Sequence, residues 1–159
     1  MKEIKLTKGY TALVSDKDYT RVVAAGPWHA NISHRTVYAL HAFIVKGRHG
    51  ALVLHRFILG ITDSAIKVDH KDGNGLHCNR RNMRIASDED NAHNRCLNKN
   101  STSGYKGVHW NKQVQKWQAT LGFKGRRIHL GLFTYAWTAA KAYDKAARKY
   151  FGRFAHTNF

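Results

Sequence analysis

The sequence predicts an α+β chain in two parts. A β-rich platform runs into a strand–loop–helix unit, and after a polar join comes a three-stranded antiparallel sheet packed on one helix. Three observations carry this. Residues 1–59 break into short strand-like runs, residues 68–94 gather reversal dipeptides just ahead of a helix start, and beyond Gly104 three alternating runs precede an alanine-rich helical stripe. Charge divides along a similar line: residues 1–91 hold 14 Lys and Arg against nine Asp and Glu, whereas residues 92–159 hold 13 against one. The second part is therefore a cationic module almost without acids, for which a polyanion is the natural partner. The plainer alternative is a basic protein that binds nucleic acid only loosely.

In chain order, Tyr10–Val14 reads as a strand, and Ser15-Asp16 can open a short helix. Trp28–Ile32 and Val37–Val45 read as strands, Gly47–Gly50 as a hairpin turn and Leu54–Leu59 as a short helix. Val68-Asp69-His70 is extended, so Asp69 and His70 point to opposite faces unless the strand bends. Lys71-Asp72-Gly73-Asn74-Gly75 supplies two strong reversal dipeptides. A helix then starts near Asp88, with Ser87 as N-cap and Asp90 three positions on. Asn91, 22 residues after Asp69, falls on its first turn. Oxygens from Asp69 and Asn91 suit a hard cation such as Mg²⁺ or Mn²⁺ better than Zn²⁺, and Asn94 is the rival to Asn91.

V-D-H-K-D-G-N, R-N-M-R and D-N-A-H-N together resemble the HNH nucleases, in the phage and intron-type subclass that carries Asp-His in place of His-His. The resemblance runs from about His55 to Arg95. It implies a ββα-metal fold in which His70 is the general base that activates water, Asp69 and Asn91 bind one divalent cation, and Asn82 holds the loop that orients His70. A histidine near its ordinary pKa of about 6.5 is suited to take a proton from water at neutral pH. On this reading residues 1–97 form the nuclease domain, with the platform at 1–50 and the metal motif at about 53–95.

Each residue also has a plain structural role to set against this. Asp-Gly-Asn-Gly alone is most often a surface turn, Asn82 could simply cap or turn, and Met83 and Ile85 look like core. His77 and His93 read as surface or packing histidines, and His55 either contacts phosphate or is buried beside the site. Two cysteines without a C-x-x-C pair argue against a structural zinc and against a disulfide-stapled secreted domain. No apolar run approaches the roughly 20 residues that span a bilayer, and no signal-type apolar core opens the chain, so a soluble intracellular protein is expected. The basic residues interleave with strand-like aromatics, unlike a membrane-surface helix.

Residues 98–104 read as a polar linker. Tyr105–Trp110, Lys116–Gly122 and Arg126–Leu130 then alternate, Lys124-Gly125 turns, and Gly131–Phe133 closes the sheet. Thr134 can cap a helix to about Phe151, with Ala136, Ala139, Ala140, Tyr143, Ala147 and Tyr150 on one stripe and Gly152 ending it. Trp117, Ala119, Leu121, Ile128 and Leu130 should face the helix, leaving Gln118, Thr120, Arg127 and His129 on the open face. Y-K-G-V-H-W, K-W-Q-A-T-L, R-I-H-L-G-L-F, A-A-K-A-Y-D-K-A-A and F-A-H-T-N-F resemble the AP2/ERF DNA-binding domain over residues 103–159. That resemblance implies a sheet laid in the major groove, with Lys106, His109, Gln118, Thr120, Arg127 and His129 facing DNA. Lys, His, Thr and Gly122 stand where the plant proteins hold arginine or tryptophan, so no target sequence carries over.

The combined expectation is a homing-type HNH endonuclease that cuts double-stranded DNA as a monomer or weak dimer, with no small-molecule cofactor. The alternatives are a DNA-binding regulator without cleavage and an RNA-binding accessory protein that prefers single strands through stacking aromatics.

Overall fold

The computed structural model describes residues 1–33, 36–45, 47–98 and 100–159. It is mixed α and β, with four small sheets and four α-helices among the described residues. Contacts divide it into two compact units, Met1–Asp88 and Glu89–Phe159. The break falls ahead of the expected linker at residues 98–104. Much of that stretch is tied down: Ser103 Oγ donates to the Val108 carbonyl at 2.7 Å and accepts from Tyr105 N–H at 3.1 Å. Lys99 lies outside the described residues.

In the first unit, β1 (Lys2–Lys5) and β2 (Thr11–Val14) pair antiparallel, and β7 (His77–Cys78) joins β2 in parallel. Helix α1 (Asp16–Ala24) follows the Ser15-Asp16 signal. Strands β3 (His29–Ile32), β4 (Val37–Val45) and β5 (Arg48–Val53) form a meander. Because Val45 pairs with Arg48, the hairpin turn is tighter than the expected Gly47–Gly50, and Gly47 takes a φ of 73°. Helix α2 (Leu54–Leu59) is the short helix expected there, and it ends on left-handed Gly60. Strands β6 (Lys67–His70) and β8 (Met83–Ala86) make an antiparallel ribbon. Val14, Val22, Trp28, Leu54, Ile58, Cys78 and Met83 make the core. Ile85, read as core, is 58% exposed, although it shares its face of β8 with the buried Met83. A partly buried ion pair locks the unit: Arg80 donates to both oxygens of the buried Asp18 at 2.8 Å and to the Ile58 carbonyl at 2.7 Å.

The second unit opens with α3 (Asp88–His93), which crosses the unit boundary, and continues through β9 (Val108–Asn111), β10 (Lys116–Phe123), β11 (Arg126–Phe133) and α4 (Ala136–Phe151). The sheet order is β11-β10-β9. Ala139, Ala140 and Ala147 are fully buried, so α4 approaches the sheet closely at these small residues. Phe151 rather than Tyr150 completes the buried stripe, and the N-cap is Tyr135, one residue after the expected Thr134. A bulge opposite the Ala119–Thr120 step was not anticipated. It lets His129 and Leu132, three apart, both face outward, which an unbroken strand forbids. No helix among the described residues is long and apolar enough to cross a membrane.

Candidate functional site

In the first unit the site is built from the β6–β8 ribbon and the loop between its strands. Asp69 and His70 are adjacent and both buried, at 7% and 5% exposure, because the ribbon is covered on both sides. Alternation sends them apart. Asp69 lies opposite Arg84, whose Nε donates to Asp69 Oδ2 at 2.6 Å. The His70 ring packs edge-on to His55 on α2, with centroids 5.1 Å apart, and 6.2 Å from the Tyr38 ring on β4. Its Nε2 lies 3.9 Å from Cys78 Sγ.

Burial dominates the proton chemistry. It lowers the pKa of His70, against the opposing pull of Asp72 and Asp69. Burial, with the charges of His70 and Arg56, pushes His55 down to about 3, and burial pushes the Cys78 thiol up to about 12. His70 is thus a neutral imidazole at pH 7, able to accept a proton. His55 Nδ1 is buried with no hydrogen-bond partner among the described residues. Of the two readings for His55, the structure has burial beside His70. Its neighbours come from β4 and β6, which sequence spacing does not bring together.

The connecting loop is closed by side-chain amides. Asn82 Nδ2 donates to Asp72 Oδ1 and to the His77 carbonyl, both at 2.9 Å, and Asn82 Oδ1 accepts from Asp72 N–H at 3.2 Å. His77 Nδ1 lies 2.6 Å from Asp72 Oδ2, and Asn74 Nδ2 lies 3.0 Å from His77 Nε2. Burial alone would raise the Asp72 pKa, but hydrogen bonds from Asn74, Asn82 and His77 outweigh it and hold the carboxyl below its ordinary value. His77, read from sequence as a surface or packing residue, is therefore part of the loop's frame. Gly73 takes a φ of 74°, and a Cβ on Gly75 would meet the Tyr38 ring and the Val37 carbonyl at 2.6 Å, so both glycines are required.

Asn91 falls in the second unit, half-buried on α3, and Asn94 is buried there. His93 stacks on Phe151 at 3.8 Å with 11° between the planes. For a divalent cation the expected donors are oxygens, which fits a hard ion. Among the described residues no group of three His, Cys, Asp or Glu could hold a metal.

The open face of the second unit's sheet collects five of the six residues expected to face DNA. Register puts His109, Gln118, Thr120, Arg127 and His129 together, with Asn111 and Leu132 beside them. Lys106 is elsewhere: its Nζ donates to the His93 carbonyl at 2.8 Å and the His156 carbonyl at 3.4 Å, and burial lowers its pKa to about 8. Trp110 and Trp117 pair edge-on at 5.1 Å on the helix side.

No protein-family model matches the chain, and no solved structure matches it. Protein 3.8 of Escherichia phage T7 is 37% identical over 60 residues, which is 38% of this chain and 50% of that protein. The AP2-like ethylene-responsive transcription factor TOE2 of Arabidopsis thaliana is 36% identical over 61 residues, 38% of this chain and 13% of the factor. The uncharacterized HNH endonuclease L560 of Acanthamoeba polyphaga mimivirus is 27% identical over 154 residues, 94% of this chain and 80% of its own length. The chain thus spans half of the phage protein and a small part of the plant factor, while its similarity to the mimivirus protein is low but nearly end to end.

Proposed function

We propose that the protein is a metal-dependent endonuclease of the HNH type that acts on duplex DNA, hydrolysing it in the first unit and gripping it with the sheet of the second. The observation that carries the reading is His70, a buried neutral imidazole at the end of β6 beside a loop cross-braced by Asn82. Likeness to a named HNH endonuclease across 94% of the chain and to AP2-like factors across 38% supports it. In this reading His70 takes the proton of the attacking water, and Asn82 keeps the loop closed so that the ring stays in place. Asp69 would contribute an oxygen to one Mg²⁺ or Mn²⁺, which would supply charge stabilisation at the phosphate when bound, while Asn91, the other ligand expected from the sequence, belongs to the second unit. The β6–β8 ribbon would then supply the two strands of the ββα-metal core of a homing-type enzyme. His109, Gln118, Thr120, Arg127 and His129 form the DNA face, with the cationic side chains of the second unit drawing in the backbone.

A binding-only regulator has one observation in its favour: Arg84 occupies Asp69 Oδ2, where a cation would be held. Supercoiled plasmid incubated with Mg²⁺ or Mn²⁺, with and without EDTA, separates the two. The nuclease reading predicts nicked or linear product that EDTA abolishes. Intact plasmid at protein concentrations that fully shift it in a gel supports the regulator.

A further inference from the structure

On the open face of the second unit's sheet, Asn111, Gln118 and His129 run diagonally across β9, β10 and β11 in an unbroken chain of hydrogen bonds. Asn111 Nδ2 donates to Gln118 Oε1 at 2.9 Å, and Gln118 Nε2 lies 3.0 Å from His129 Nδ1. An amide chain could run in either direction, but this one is anchored by the backbone. Asn111 Oδ1 accepts from the N–H groups of Gln113 and Val114, at 3.0 and 3.4 Å, in the turn between β9 and β10. A backbone N–H only donates, so Oδ1 must face the turn and Nδ2 must face Gln118. Gln118 therefore turns its oxygen to Asn111 and its NH₂ to His129. A donor at 3.0 Å requires His129 Nδ1 to be the acceptor, which puts the ring proton on Nε2.

We propose that this relay, fixed by the β9–β10 turn, locks His129 in the Nε2–H form and makes it a single hydrogen-bond donor aimed at an acceptor on a base edge. Asn111 is a positioning residue acting through Gln118. Resting on the reading that this face binds duplex DNA, the proposal says what the face reads. Gln118, the residue type that otherwise reads adenine through its paired oxygen and nitrogen, has that edge turned along the sheet toward Asn111 and His129. Readout passes to His129, which is exposed. A lone donor can donate to guanine O6 or N7, adenine N7 or thymine O4, and finds no acceptor on cytosine, whose major-groove edge offers only the N4 amine.

The relay and the readout are tested separately in the full chain. Nitrogen NMR of the His129 ring at pH 8, without DNA, reports which ring nitrogen carries the proton. The expected result is Nε2 protonated and Nδ1 bare, and in Asn111→Asp the reverse. In that variant the carboxylate still accepts from the turn but no longer donates, so Gln118 flips and offers His129 its oxygen. An Nδ1-protonated wild type, or a tautomer ratio that Asn111→Asp leaves unchanged, overturns the relay. Selection from randomised duplexes then measures base preference. The wild type should disfavour cytosine at one position roughly tenfold, a size typical of one mismatched pair. His129→Ala should lose that preference, and Asn111→Asp should shift it toward bases with an amino group. Discrimination untouched in His129→Ala overturns the readout. A wild type that binds no duplex instead overturns the DNA-binding reading itself, while the tautomer result stands or falls alone.

Discussion

Burial acts on His55 and His70 in one direction, and for His55 that has a consequence for acid stability. His55 is held down at about 3, whereas an unfolded histidine titrates near 6.5. Between those values the native state binds fewer protons than the unfolded chain, so stability is full above about pH 6.5 and falls as the pH drops toward 3. From pH 7 to pH 5 the His55 share is about 2 kcal/mol. Urea midpoints at the two pH values should therefore diverge in the wild type and draw together in His55→Phe, whose ring cannot take a proton. A variant whose midpoint drops as far as that of the wild type would remove His55 from the account. The turn that Asp72, Gly73 and Asn74 build was legible because its residue types and spacing are local. The His55–His70–Tyr38 packing was not, since it joins α2, β6 and β4 through tertiary contact.

Among elements, the C-terminal segment is the clearest dependence. Asp144 on α4 is 1% exposed, and its carboxylate accepts from Asn158 N–H and Nδ2 and from Phe159 N–H at 2.8 to 2.9 Å. Asn158 in turn accepts Lys106 N–H at 2.7 Å, so the chain end, the helix and the start of the sheet share one buried anchor. Asp144→Ala leaves those donors without their acceptor and should cost about 1–3 kcal/mol, with residues 155–159 losing hydrogen-exchange protection. Unchanged protection there would mean that the segment is held otherwise. Period-two alternation foretold the inward Trp117, Ala119 and Leu121 and the outward Gln118 and Thr120. It had no signal for the bulge, or for Lys106, whose ammonium is turned to the carbonyls of His93 and His156, both distant in sequence.

Across the whole molecule, the charge of +17 governs affinity more than it governs fold. Binding to duplex DNA should fall steeply with salt, log K declining by about 0.9 per phosphate contact for each unit of log salt. If Arg127 on the open face is one such contact, Arg127→Ala should lower the slope by about 1. An identical slope would take Arg127 off the contact surface. The composition shift near residue 92 lies close to the contact division at Asp88–Glu89. A polar stretch reads as a tether, whereas here serine hydroxyls bind it to backbone carbonyls and His93 stacks on Phe151, so α3 belongs largely with the second unit.

The proposed division of labour, hydrolysis at His70 and grip at the sheet, is tested most directly by one variant. His70→Ala should be assayed for duplex affinity and for plasmid cutting in the same Mg²⁺ or Mn²⁺ buffer. The account predicts no cutting with affinity within about twofold of wild type, since removal of a proton acceptor acts on the chemical step and leaves uniform binding in place. Cutting that persists in His70→Ala at the wild-type rate would contradict it.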